Sequence, residues 1–258
     1  MTLLAVTFLT GAAGCSYPTD RTPYPGACTP MAVTSWAPPM PADGGVPTDT
    51  LVRATFSDYP DPDTVGLSSM SLTSGVYRVP ELYRVDLAVK GVVMAPDSTL
   101  TPQLGYAANV SPGLTSLAGC GVMFTQYVFT TGAGPANLPI PPVPPFTEVQ
   151  AIFGASCAGG CHADATGGCL AAPAGGLSLC AGEARGALVD VPSREVSSLE
   201  LVAPRDASRS YLLRKLLPAT TGGGPVPGTL GQREPPGAPL SPEQLETISA
   251  WIDGGALP

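Results

Sequence analysis

The segment 134–145, Gly-Pro-Ala-Asn-Leu-Pro-Ile-Pro-Pro-Val-Pro-Pro, divides this chain more sharply than any other stretch. Proline fixes φ and lacks an N–H, so such a run joins neither a helix nor a sheet interior and stays extended. The hydrophobic period changes across it. Upstream, the period is two. Tyr83, Val85, Leu87 and Val89 alternate with Arg84, Asp86, Ala88 and Lys90, and Val52, Ala54 and Phe56 do the same, as do Met123, Thr125, Tyr127 and Phe129. Each set puts apolar side chains on one face of a strand. Downstream, Val149, Ile152 and Phe153 fall at helical spacing. The chain therefore divides into a β part and a helical part.

Turn signals separate the strands: Asp58-Tyr59-Pro60-Asp61-Pro62, Ser74-Gly75, Ala95-Pro96-Asp97 and Ser111-Pro112-Gly113. Short strands at this spacing predict a β-sandwich over 46–133. Leu51-Val-Arg-Ala-Thr-Phe-Ser57, then Asp63-Thr64, Leu100-Thr-Pro-Gln-Leu-Gly-Tyr106 and the closing Tyr127-Val-Phe-Thr-Thr-Gly132 resemble the bacterial Ig-like (SbsA-type) domains of surface proteins. That resemblance implies a fold and names no active site. Residues 16–45, rich in proline and glycine, are expected to be a tether.

Among 258 residues there are 31 glycines and 31 prolines, yet 44% of residues are hydrophobic, so a loop-rich chain still has the material for a core. The net charge of −8 leaves no basic stripe to neutralise phosphates and argues against nucleic acid as a partner. Seven cysteines point to an oxidising compartment. The odd one is accounted for at the N-terminus. An uncharged apolar run over 1–10 leads through Gly11-Ala12-Ala13-Gly14 into Cys15, which resembles a bacterial lipoprotein signal (1–15) with Cys15 as the lipidated residue. An ordinary secretory signal is the alternative. The expected location is the cell envelope, periplasm or outer membrane, with the lipid as the membrane partner. Cys28 and Cys120 flank the sandwich, and a bridge between them would close a long loop. Cys169 and Cys180 are expected to pair locally, because Ala-Ala-Pro-Ala-Gly-Gly between them can turn back.

Cys157-Ala-Gly-Gly-Cys161-His162 holds the only histidine of the chain. Two cysteines followed at once by histidine make the attachment pattern of c-type haem: the thiols add to the vinyl groups and the imidazole ligates iron. The usual spacer is two residues; this one has three, and Gly159 and Gly160 have the backbone freedom to absorb the extra residue. Two other readings stay open on these residues. A Cys157–Cys161 disulfide would leave His162 a surface residue, and Cys157, Cys161, His162 and Cys169 would suit zinc.

Helical signals frame the loop. One helix runs into Cys157, a second is predicted from Asp206 as N-cap with Tyr211, Leu212 and Leu216 inward, and a third starts at Ser241-Pro242 with Gln244 completing a capping box. The attachment loop, Gly175-Gly176-Leu177-Ser178-Leu179, Ala187-Leu188-Val189, Ser210-Tyr211-Leu212-Leu213 and the segment from Pro239 to Ala256 resemble the cytochrome c-like domains of bacterial exported proteins, especially myxobacterial lipoproteins, over nearly all of 146–258. The resemblance implies a small, mainly α domain carrying one haem c on Cys157 and Cys161, with His162 as proximal ligand. It implies electron transfer or haem-based sensing with a redox or protein partner that the sequence does not name. One family feature is missing. Where those domains carry Met-Pro, this chain has Glu234-Pro235, and no methionine follows Met123, so the sixth position is left to water, to no ligand, to Glu234, Tyr211 or Lys215, or to a methionine reaching over from the Ig-like domain. A Ser-His-Asp triad or Cys-His dyad would need His162, whose neighbour Cys161 is sequence-adjacent and poorly placed for an in-line hydrogen bond, so no hydrolase is expected. With no distal acid–base histidine, at most weak peroxidase-like activity is expected. The alternative function is a haem-free, disulfide-stapled surface lipoprotein acting as a structural or binding module.

Overall fold

The computed structural model describes residues 28–39, 45–157, 160–220 and 226–258. Among them, strands β1 (Val33–Ala37), β2 (Val52–Phe56), β5 (Glu81–Asp86) and β6 (Gly91–Pro96) form one antiparallel sheet in the order β1-β2-β6-β5. Strands β3 (Met70–Ser74), β4 (Tyr77–Arg78), β7 (Gly105–Val110) and β8 (Thr125–Thr130) form another in the order β4-β3-β7-β8. Val52, Ala54 and Phe56 are buried, as the alternation requires, and so are Leu72, Val92, Met94, Tyr106, Ala108 and Phe129 from the other strands.

Three departures from the sequence reading have physical causes. First, the alternating run from Tyr83 does not continue to Val89. Strand β5 ends at Asp86, which pairs with Gly91, and Leu87–Val89 form a 3₁₀ turn closed by Lys90 at φ 53°. A chain reversing there cannot place Leu87 on a strand face, so the fully buried Leu87 is free to point elsewhere. Second, Met123 precedes β8 and is exposed. Third, the expected tether contains β1. Trp36 stacks on Tyr127 at 5.4 Å, Met31 N–H donates to Gly121 O at 2.9 Å, and Cys28 is bonded to Cys120 across a separation of 92 residues. The sandwich thus begins upstream of 46. In the chain-entropy account that disulfide contributes about 4–5 kcal/mol.

The helical part comprises α1 (Phe146–Ser156), α2 (Ala184–Leu188), α3 (Tyr211–Leu216) and α4 (Pro242–Asp253). Helix α4 begins with the predicted capping box: Ser241 Oγ accepts from Gln244 N–H at 3.3 Å, and Gln244 Oε1 accepts from Ser241 N–H at 2.9 Å. Leu245, Ile248, Trp251 and Ile252 are buried, and the indole of Trp251 lies against Phe146 of α1 at 5.1 Å. Asp206 does not cap α3. Its carboxylate accepts from Arg209 N–H at 3.1 Å and closes a 3₁₀ turn at Ala207–Arg209, after which the extended backbone of Ser210 restarts the chain as α3.

The two parts are packed against each other. Their buried side chains form one contiguous core from Phe56 and Leu72 through Leu87 to Leu213 and Trp251, and the turn bearing Leu87 packs on α3 and α4. Tyr59 is buried and its hydroxyl donates to Pro218 O at 3.0 Å. Arg209 meets Asp63 at 2.8 Å and Arg84 meets Asp253 at 2.9 Å. The proline-rich segment holds no helix or strand, and Asn137 within it sits at φ 51°. Asp49 fastens its start by accepting from the N–H groups of Ala136 and Asn137, both at 2.8 Å.

Candidate functional site

Helix α1 delivers Cys157 at its C-terminus, where the Cys157 N–H donates to Phe153 O at 2.8 Å. Ala158 and Gly159, the first two spacer residues, lie outside the described residues. Gly160 sits at φ 88°, a conformation that costs glycine least, so the spacer does use one of its glycines to turn. The loop beyond is pinned by its own backbone. Ala174 N–H donates to Cys161 O at 2.7 Å, and Leu179 N–H donates to His162 O at 2.9 Å.

The side chain of His162 is also fixed. Its Nδ1 lies 3.0 Å from Leu177 O. A carbonyl only accepts, so Nδ1 carries the hydrogen and Nε2 of the neutral ring keeps its lone pair. This is how proteins orient an imidazole that is to bind a metal.

Cys157, Cys161 and His162 line one cavity that is open to solvent at its mouth. Leu177, Leu179, Val191, Leu201, Leu212 and Leu216 supply apolar wall, and Glu195, Tyr211, Lys215 and Glu234 supply the polar part. The loop after α1, the segment 174–179, the loop holding Glu195, helix α3 and the loop holding Glu234 all converge on it. A mainly apolar concavity with a few converging polar groups is the usual form of a small-molecule or cofactor site.

The polar wall is a network. Glu195 Oε2 accepts from Lys215 Nζ at 3.1 Å and from the Tyr211 hydroxyl. Lys215 Nζ also donates to Leu230 O, and the Leu230 N–H donates to the Tyr211 hydroxyl at 3.2 Å. Glu234 is placed beside it by its backbone N–H, which donates to Lys215 O at 2.9 Å. Burial raises the Glu234 carboxyl above its ordinary range, with Lys215 and then His162 opposing. Burial pushes the Cys157 thiol up to about 11, and the neighbouring Glu234 charge pushes the same way. The sequence reading named Tyr211, Lys215 and Glu234. It missed Glu195, which sits in an irregular loop with no periodicity or motif to mark it.

The cysteines resolve two of the open readings. Cys157 is a free thiol, so no Cys157–Cys161 staple forms; Cys161 is disulfide-bonded. Cys169 is bonded to Cys180, as expected, which removes its sulfur from any zinc set with Cys157 and His162. Cys169, Cys180 and Glu183 do lie together, but two sulfurs joined to each other offer no thiolate to a metal. Cys15 lies outside the described residues.

A family model described as a bacterial Ig-like domain matches residues 27–131. With two packed antiparallel sheets over the same span, that decides the first part of the chain. Residues 27–131 are a bacterial Ig-like domain. The match begins well before 46, in agreement with the place of β1. No curated protein matches the chain. Among solved structures, the N-terminal part of the bacterial S-layer protein SbsC is similar at 20% identity and a TM-score of 0.32, covering 40% of this chain and 24% of that one. A structure of domains 1–6 of the surface layer protein SbsC is similar at 18% identity and a TM-score of 0.32, covering 44% of this chain and 14% of that one. The chain thus spans a quarter or less of those S-layer chains. Beyond the Ig-like domain, the described residues of 146–258 carry four short helices joined by long loops and pack against it.

Proposed function

We propose that the helical unit is a cytochrome c-like domain that holds one covalently attached haem, in a protein exported to the cell envelope for electron transfer or haem-based sensing. The observation that carries the reading is the setting of His162. Its Nδ1–H is committed to Leu177 O, and the residue lines a largely apolar cavity together with Cys157 and Cys161. Cys157 and His162 suit the group as they stand, and Cys161 does so once its disulfide is opened. Cys157 and Cys161 would form the thioethers and His162 would ligate the iron, while the apolar walls would exclude water from the porphyrin faces. The haem would supply one-electron chemistry and an iron open to ligands. Attachment needs both sulfurs as thiols. Cys157 already is one, and Cys161 must be released from its disulfide first.

That bonded state of Cys161 supports one competing reading, a haem-free, disulfide-stapled module whose cavity binds another ligand. Expression with a cytochrome c maturation system, followed by a covalent-haem stain on a denaturing gel, separates the two. A stained band that disappears in a Cys157→Ala/Cys161→Ala double variant supports haem. An unstained wild type ends the haem reading.

Two disulfides among the described residues and an Ig-like domain support export. Among the described residues no helix is long and apolar enough to cross a membrane. We propose a lipid at Cys15 as the membrane attachment, which requires the Cys15 sulfur to be free of any disulfide. Detergent phase partitioning tests it: the wild type should enter the detergent phase and Cys15→Ser should stay aqueous. Both remaining aqueous would exclude the anchor.

A further inference from the structure

We propose that the cavity, with Cys161 still in its disulfide, binds a small neutral aromatic alcohol without a covalent bond. One or two fused rings would lie against the aliphatic wall, and the hydroxyl would donate to His162 Nε2 and accept from Lys215. This takes from the haem-free reading above only the bonded Cys161, and it names the ligand class for that cavity. Size sets the first limit. The cavity volume is about 230 Å³. An apolar cavity of about 150 Å³ takes up benzene, so a second ring can be accommodated here. The wall is mainly Leu177, Leu179, Val191, Leu201, Leu212 and Leu216. Rigid rings fill such a wall with less loss of internal freedom than a flexible chain of equal size.

Two polar atoms of the lining remain for a ligand. His162 gives its Nδ1–H to Leu177 O, and Nε2, which then only accepts, has no partner among the described residues. Lys215 has three hydrogens; Glu195 and Leu230 O take two, and the third has no acceptor among the described residues. A hydroxyl carries one hydrogen and two lone pairs, so it can serve both. Charge sets the second limit. The acidic and basic side chains lining the cavity cancel, Lys215 and Arg194 against Glu195 and Glu234. Lys215 is already paired with Glu195 at 3.1 Å, and Arg194 is exposed and donates to Gly175 O at 2.8 Å. A charged ligand would lose its hydration there without gaining a partner of its own, and a neutral one is favoured.

The test is calorimetric titration of the full chain, produced without haem, with naphthol, methoxynaphthalene, naphthalene and naphthoate, each substituted at the β position where it is substituted. Naphthol should bind one to one. Methoxynaphthalene, which cannot donate, and naphthalene, which has no polar atom, should each bind at least about fivefold more weakly, as expected for loss of one hydrogen bond. Naphthoate, similar in shape but anionic, should also be weaker. Cys157, the free thiol on the same wall, reports the place, since bound naphthol should slow its alkylation in proportion to occupancy. A Lys215→Met/Glu195→Gln variant removes the ion pair without stranding either charge, and should lose affinity for naphthol while keeping that for naphthalene. If it does not fold, the four probes on the wild type decide alone. Equal affinities for naphthol and naphthalene, tighter binding of naphthoate, or binding that leaves Cys157 unprotected would each overturn the inference. A stained band in the covalent-haem test ends the haem-free reading and leaves these titrations standing, because they use protein that has not met haem. An unstained protein that binds none of the probes keeps that reading and ends the inference.

Discussion

Cys157 stands at the C-terminal end of α1, inside the wall of the cavity, with Glu234 as its charged neighbour. Three influences thereby favour the thiol over the thiolate: burial first, then the Glu234 charge, and the negative end of the helix dipole in the same sense. With its pKa pushed up to about 11, the thiolate is a small fraction at pH 8, and alkylation of the haem-free protein should be slow there and accelerate steeply toward pH 11. Replacing Glu234 by glutamine removes a charge that opposes ionisation, so Glu234→Gln should shift the iodoacetamide rate profile to lower pH. A profile that shifts upward, or not at all, would show that the carboxylate does not act on the sulfur. His162 makes a complementary case. Its identity was plain from sequence, but the acceptor that sets its tautomer is Leu177, fifteen residues on, and nothing local marks that pairing.

Elements were legible in proportion to how far local chemistry decides them. Helix α4 could be read to the residue because Ser241, Pro242 and Gln244 settle its start without help from elsewhere. Ser241→Ala should cost about 1 kcal/mol in chemical denaturation, and a change near zero would mean that packing alone holds the first turn. The strand β1 was not legible. Its burial pattern has no clean alternation, prolines surround it, and its place is fixed by Trp36 on Tyr127 and by the Cys28–Cys120 bond. Leu87 misled for the opposite reason: it continues a perfect alternation, yet the hairpin turns before it and the helical unit buries it. In the site, the two cysteines and the histidine were visible as a motif. The Glu195–Lys215–Tyr211 network was not, because it joins a loop to a helix across tertiary space.

The described residues form one packed body with two kinds of secondary structure. The Ig-like domain does more than hold the helical unit away from a surface: Leu87, Tyr59, Asp63 and Arg84 reach into contact with it. The two parts should therefore unfold together. The chain has only two tryptophans, Trp36 in the Ig-like domain and Trp251 in the helical unit, so Trp36→Phe and Trp251→Phe variants each report one part. Their fluorescence transitions in urea should coincide within each variant with the circular dichroism transition; two separated transitions would show that the parts are independent. Tyr59→Phe, which leaves Pro218 O without that donor, should destabilise both reporters together by about 1–2 kcal/mol.

All of this supports a cavity kept open and a histidine kept aimed, and the central claim is that haem is bonded there. Peptide mapping by mass spectrometry, on protein matured in the presence of the haem-attachment machinery and a thiol reductant, reads that bond directly. The account predicts one haem on the peptide containing Cys157, Cys161 and His162, with Cys28–Cys120 and Cys169–Cys180 still joined in the unreduced map of the folded protein. Recovery of that peptide without haem, with Cys157 as a plain alkylatable thiol under the same conditions, would contradict it.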